Sequence, residues 1–320
     1  METVMEACQS PAVCAFLRAQ GLEPDPGAGF TVSLREDGEI LACGSLDGNV
    51  IKGMAVSPDF RGQGLAEQLM TALRREAFAR GLRRLFVYTK PRNEILFRGL
   101  GFYPVAACDE ALLLESTRGG LRKYLAALDR HPGPCGAVVM NCAPFTLGHQ
   151  YLVDQARQRC RWLYVFVLSE EKGMFSAAQR LEMVRRGCGD FPNVSVHPTA
   201  GYLISNATFP AYFLKDRTQK PEVQCRLDIE IFTGSFAPAL GIEVRFLGTE
   251  PLDPVTAAYN KALKEQLPPR GIRVEELPRL ERGGAPVSAS RVRAALQAGP
   301  DVRALVPETT WEYLNQEMGG

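Results

Sequence analysis

Two rhythms of apolar and polar positions divide this chain. Over residues 30–34, 39–46 and 49–56, short β-rich runs are separated by Asp37-Gly38 and Asp47-Gly48, two-residue signals for tight hairpins. The pattern predicts an antiparallel meander. Leu65, Leu69, Leu73 and Ala77 then recur on one face of a helix, and residues 82–89 return to a strand pattern. A short helix over 92–99, a Gly101-Phe102 turn and a hairpin around Asp109 complete an α+β unit over residues 1–115. Residues 116–134 hold Gly119-Gly120, a basic helix and His131-Pro-Gly-Pro134, and read as a linker. From Cys135 the period changes. Strands over 137–140, 162–168, 194–197, 244–247 and 274–277 alternate with helical segments. Residues 135–320 are therefore expected to be an α/β unit with a doubly wound, parallel Rossmann-like sheet, whose ligands sit beyond the carboxyl ends of its strands.

Composition narrows the classes. A chain of 320 residues is long enough for two cores. With 37 Lys plus Arg against 36 Asp plus Glu, it lacks the charge footprint of a nucleic-acid binder. Its nine scattered cysteines contain no C-x-x-C pair, which argues against a disulfide framework or a zinc site and for a reducing, cytoplasmic setting. No apolar run is long enough to span a membrane, and residues 1–20 lack a signal-peptide pattern.

The chemistry-bearing segments lie in the second half. Residues 135–149 run from an apolar strand through Pro144 into Thr146-Leu-Gly-His149, which opens an amphipathic helix. Open N–H groups and the positive dipole end make such a helix start a phosphate site, where Gly148 permits close approach and Thr146 and His149 can donate hydrogen bonds. Alone, this tetrapeptide reads as a capped helix; the apolar strand and Pro144 turn before it and the Tyr151, Leu152, Ala156 face after it turn the reading to a phosphate site. Far downstream, Val287-Ser-Ala-Ser-Arg-Val-Arg293 opens another helix that Ser288 or Ser290 can cap, with Arg293 offering a bidentate fork. Lys172 and Arg180 are divided between further positive charge at the site and solvated surface roles. Ser205, Asn206 and Thr208 fit a pocket wall for a small polar substrate or a capped, buried helix. Asp253, Thr256 and Tyr259 follow a strand end and are candidates to border the phosphate site, and the Arg74, Arg75, Arg80, Arg83, Arg84 cluster fits a docking patch for an acidic protein or a solvated helix face.

T-L-G-H and V-S-A-S-R-V-R together resemble the H/T-x-G-H and I-S-S-T-x-I-R signatures of the HIGH-type nucleotidyltransferases. The resemblance implies that Thr146, His149 and Arg293 act on an ATP triphosphate carrying Mg²⁺, with Asn141, Phe145, Gly148, Lys172, Ser288 and Ser290 also in the ATP site. It implies no protein-held metal and no permanently bound cofactor. In the first half, Arg61-Gly62-Gln63-Gly64-Leu65-Ala66 resembles the phosphate cradle of GNAT-type acyltransferases, and residues 93–102 their closing N-x-x-x-F/Y-x-x-x-G-F segment. Where many active members carry a proton-donating tyrosine this chain has Phe97, and only Glu94 and Tyr103 stand in for a general base. The cradle thus reads as a holder for a CoA-like arm.

Over nearly the whole chain this pairing resembles the citrate lyase ligases, on segments 48–58, 168–176, 202–212 and 236–242. That family implies an AMP-forming acetate ligase. Acetate attacks ATP to give acetyl adenylate, and the acetyl group passes to the thiol of phosphoribosyl-dephospho-CoA on the acyl-carrier subunit of citrate lyase. Nucleic acid and membrane are not expected partners. Three other readings stay open: an adenylyltransferase of a phosphopantetheine-type acceptor, an N-acetyltransferase with a nucleotide-sensing half, and a non-enzymatic carrier adaptor.

Overall fold

The computed structural model describes residues 1–25, 27–171, 173–203, 209–210, 212–214, 219–251, 253–299 and 301–318. The chain forms two compact units. One comprises Met1–Lys123 with Phe209–Glu230, the other Tyr124–Thr208 with Ile231–Gly320. The sequence places the first boundary at residue 115 with a linker over 116–134, whereas packing carries the first unit to Lys123 and returns 209–230 to it. Side chains explain the return. Arg226 pairs with Glu110 at 2.7 Å, and Tyr212 donates to the Tyr88 carbonyl at 2.7 Å.

The first unit holds seven strands: β1 (Glu2–Glu6), β2 (Phe30–Glu36), β3 (Glu39–Asp47), β4 (Val50–Val56), β5 (Phe86–Thr89), β6 (Tyr103–Ala107) and β7 (Leu112–Glu115). They are ordered β1-β2-β3-β4-β5-β7-β6, and only β4 and β5 pair in parallel. The β2–β3 turn is Asp37-Gly38, with φ of 50° and 85°, the left-handed pair a tight hairpin requires. The next turn falls one residue later than expected, because Asp47 already pairs with Val50 as a strand residue. Helix α2 (Leu65–Ala79) lays Leu65, Leu69, Leu73 and Ala77 on the sheet. Each buried leucine contributes about 1.5–3 kcal/mol. Helix α1 (Pro11–Ala19) covers Cys43 on the opposite face with Val13 and Leu17, so β3 is buried on both sides. Neither α1 nor the edge strand β1 was foreseen, since Glu2–Glu6 carries almost no buried face. Residues 82–85 only lead into β5. Helix α3 (Glu94–Gly99) follows one 3-10 turn, and α4 (Gly120–Ala126) is the expected basic helix.

The second unit alternates strand and helix: β8 (Cys135–Met140), α5 (Leu147–Arg157), β9 (Trp162–Val167), α6 (Ala177–Gly187) and β10 (Val194–Pro198), then β11 (Ile242–Gly248), α9 (Pro254–Gln266) and β12 (Arg273–Leu277). Between β10 and β11 the chain forms α7 (Lys220–Ile231), a π-helical turn and α8 (Ala237–Leu240). A small β13 (Glu281–Arg282) and β14 (Ala285–Pro286) ribbon precedes α10 (Ala289–Ala298) and α11 (Glu308–Met318). The five long strands are all parallel, ordered β10-β9-β8-β11-β12. Strand order therefore reverses at β8. That is where a doubly wound sheet leaves a crevice for ligand. Among the described residues no helix is long and apolar enough to cross a membrane.

Candidate active site

Thr146 and His149 form a reciprocal cap on α5 at the carboxyl end of β8. The His149 amide donates to Thr146 Oγ1 at 3.3 Å, while the Thr146 amide donates to His149 Nδ1 at 3.1 Å. Histidine takes the place that glutamate or glutamine fills in the usual capping box. An amide can only donate, so Nδ1 is the accepting nitrogen and the neutral ring carries its proton on Nε2. Burial, followed by the nearby Arg279 guanidinium, lowers the His149 pKa to about 4. At neutral pH the site holds an uncharged imidazole with a fixed tautomer. Its Nε2–H is thereby a hydrogen-bond donor whose orientation the fold already fixes.

The second motif is packed against the first. A Cβ on Gly148 would lie 2.5 Å from the Val287 carbonyl oxygen, so glycine is what lets α5 meet the strand leading into α10. The close approach expected toward a phosphate is thus, in the structure, one toward Val287. Ser288 caps α10 by accepting from the Arg291 amide at 3.3 Å, and Ser290 stands within the first turn. Arg293 donates to Ser290 Oγ at 3.3 Å and to the Ala143 carbonyl at 2.6 Å, tying the two loops together. The first turn of α5 is partly claimed, since Leu147 donates to the Leu305 carbonyl at 3.0 Å. Among the described residues nothing accepts from the Gly148 amide, which leaves it for a ligand.

Phe145 is fully buried. Its ring stacks on the imidazole of His149 at 5.9 Å and 14° and fills the space above Gly187, so its side chain supports His149 from the core. Asn141 is exposed, with its Oδ1 held at 2.6 Å by Arg180. Arg180 itself is fully buried, not a surface residue. Its guanidinium also donates to the carbonyls of Asn141 and Leu168, each at 2.9 Å, and to that of Glu170. It clamps the loops that follow β8 and β9. Asp253 caps α9, accepting from the Val255 amide at 3.0 Å and from the Thr256 hydroxyl, which occupies both residues. Lys172, Ser205, Asn206 and Thr208 lie outside the described residues.

Sequence reasoning missed Arg279. It follows the end of β12, donates to the Thr249 carbonyl at 2.5 Å, pairs with Glu250, and sits close enough to act on His149. A basic residue just past a parallel strand's carboxyl end was the available signal.

In the first unit, Gly62 and Gly64 adopt left-handed φ of 78° and 76°. Gly64 precedes α2 with no side chain capping it, so the first-turn amides stay open. Arg61, Gly62, Gly64, Leu65 and Ala66 line a cavity of about 760 Å³, with Phe97 on its wall. Gln63 turns back toward the Asp59 carbonyl, and neither Glu94 nor Tyr103 lines the cavity. Three of the five arginines of the basic cluster are engaged in the fold. Arg74 donates to the Leu100 carbonyl at 2.8 Å, Arg80 pairs with Glu76 at 2.7 Å, and Arg84 lies 3.8 Å from Glu115.

A neutral histidine, hydroxyls and a guanidinium at the switch point of a doubly wound sheet define a nucleotidyltransferase-type unit, here joined to a GNAT-type unit. In comparison with known families, residues 135–314 match the citrate lyase ligase C-terminal domain and residues 6–102 the acetyltransferase (GNAT) family. The chain belongs to the citrate lyase ligase family. It is 41% identical over 315 residues to [Citrate [pro-3S]-lyase] ligase of Klebsiella pneumoniae, covering 95% of this chain and 92% of that protein. The corresponding protein of Escherichia coli is 39% identical over 316 residues, covering 94% and 89%.

Proposed function

We propose that this chain is an AMP-forming ligase that activates acetate with ATP and acetylates the thiol of a CoA-like prosthetic group on the acyl-carrier subunit of citrate lyase. In the first step an acetate oxygen attacks the α-phosphorus and pyrophosphate leaves. In the second, the thiol sulfur attacks the adenylate carbonyl carbon, AMP leaves, and the thiol proton passes to solvent. Carboxylate is a weak nucleophile, so both steps depend on positioning and charge neutralisation more than on a protein nucleophile.

The observation that carries this reading is the imidazole of His149, neutral and tautomer-fixed by Thr146, lying beside the Ser288 to Arg293 motif. His149 Nε2–H would donate to the phosphates, with Thr146, Ser288, Ser290 and Arg293 completing the triphosphate site. Mg²⁺ would arrive on the nucleotide, and Asn141 would orient it through its bond to Arg180. The Gly62 to Ala66 turn of the first unit would hold the pyrophosphate of the CoA-like arm, without acyl transfer to an amine, because Phe97 has no proton to give. The test is ATP/pyrophosphate exchange with and without acetate, in wild type and His149→Ala, with holo-carrier added in parallel. Acetate-dependent exchange that the variant loses is expected. Silence in the presence of carrier would defeat the proposal.

A further inference from the structure

One wall of the first unit's cavity comes from a distant part of the chain. Tyr212 and Phe213 line it beside Ile51, Phe97 and the glycine turn, although they fall between β10 and β11 in sequence. Strands β4 and β5 pair only at Val50–Phe86 and Ile51–Val87, after which β4 runs on to Val56 and β5 to Thr89. A gap opens between the diverging strands, and Met54 and Val56 from one and Thr89 from the other line the cavity there. Tyr212 sits at its apex. Its hydroxyl donates to the Tyr88 carbonyl at 2.7 Å and lies 3.4 Å from that of Ile51.

Aromatic contacts fix the ring. Tyr212 meets Phe213 edge-on at 5.4 Å, Phe213 meets Phe209 at 6.1 Å, and Phe209 meets Tyr88 at 5.7 Å. With the hydrogen bond back to Tyr88, these contacts close a circuit. The hydroxyl is spent on carbonyls, and burial raises its pKa, so it is not a proton donor to a substrate. What Tyr212 offers the cavity is a rigid apolar face. Elsewhere the same cavity is lined by Arg61 and the open helix start after Gly64, which suit a phosphate. The lining therefore fits a linear molecule with phosphate at one end and an uncharged tail at the other.

We propose that Tyr212 is the end-stop of this slot: it admits the arm of a phosphate-bearing thiol, free or acetylated, and excludes thioesters of longer acyl groups. The inference rests on the reading that the first unit holds the CoA-like arm. Calorimetric titration of the full chain with dephospho-CoA and its S-acetyl and S-butyryl thioesters tests it, in wild type, Tyr212→Ala, Tyr212→Leu, Tyr212→Phe and Gly64→Glu. Wild type is expected to bind the butyryl form about tenfold more weakly than the acetyl form, the effect of overfilling a rigid site. Tyr212→Ala and Tyr212→Leu should bring the two within about twofold, while Tyr212→Phe, which keeps the ring, should retain the discrimination. A purely structural role would weaken all three ligands together. An unchanged acetyl-to-butyryl ratio in Tyr212→Leu, the milder variant, would overturn the end-stop and leave the arm reading standing. No binding of dephospho-CoA by wild type, or binding untouched by Gly64→Glu, would overturn the arm reading itself and the end-stop with it.

Discussion

Replacing Gly148 with alanine tests whether contact between the two motifs is what builds the nucleotide site. The added Cβ would lie 2.5 Å from the Val287 carbonyl oxygen and 3.5 Å from Thr146 Oγ1. A carbon–oxygen contact settles at about 3.3 Å or more, so the helix start and the Val287 backbone must part by roughly 0.8 Å. Val287 cannot give way easily. Its amide donates to the Leu280 carbonyl at 2.9 Å, its side chain is buried, and Ser288 next to it caps α10. Overpacking of this kind costs about 1–3 kcal/mol. The sign is what makes the test sharp, because glycine to alanine in an unencumbered helix gains up to about 1 kcal/mol. A misplacement near 1 Å can lower a rate by about 100-fold. Acetate-dependent ATP/pyrophosphate exchange should fall by about that factor, and thermal unfolding should drop by about 2 °C or more per kcal/mol lost. A variant as stable as wild type, exchanging at the wild-type rate, would refute the argument that the two motifs meet through this glycine.

The depressed pKa of His149 makes stability depend on pH. Between its ordinary value near 6.5 and its folded value of about 4, the unfolded chain binds the proton and the folded chain does not, so stability rises with pH across that window and is lost as pH falls through it. The loss is at most about 3 kcal/mol, and urea titrations at pH 7.5 and 4.5 should show a smaller difference in His149→Gln than in wild type. An identical difference in both would mean that the imidazole is not held neutral. Arg180→Met keeps the volume but strands three carbonyls and Asn141 Oδ1. We expect a loss of about 3–5 kcal/mol in urea unfolding and a raised KM for ATP, and a loss under about 1 kcal/mol would contradict the clamp.

Periodicity alone separated the hairpins of the first half from the strand–helix alternation of the second, because side chains repeat every two residues on a strand and every 3.6 on a helix. The five parallel strands followed from that alternation, whereas their order, with its reversal at β8, was decided by the tertiary structure. The capped helix starts at Thr146 to His149 and at Ser288 were also legible, since capping chemistry is local and each motif spans only a few residues. Contacts between distant segments could not be read this way. That Gly148 serves Val287, that burial and then Arg279 depress the pKa of His149, and that Arg180 is a buried clamp depend on which loops converge at the sheet's edge. Edge strand β1 escaped notice because a strand with little buried face has little alternation to show. Most of all, the return of Phe209 to Glu230 to the first unit has no periodic signature. It was decided by Tyr212 donating to the Tyr88 carbonyl where two strands diverge and by Arg226 finding Glu110, partners that only the folded chain brings within reach.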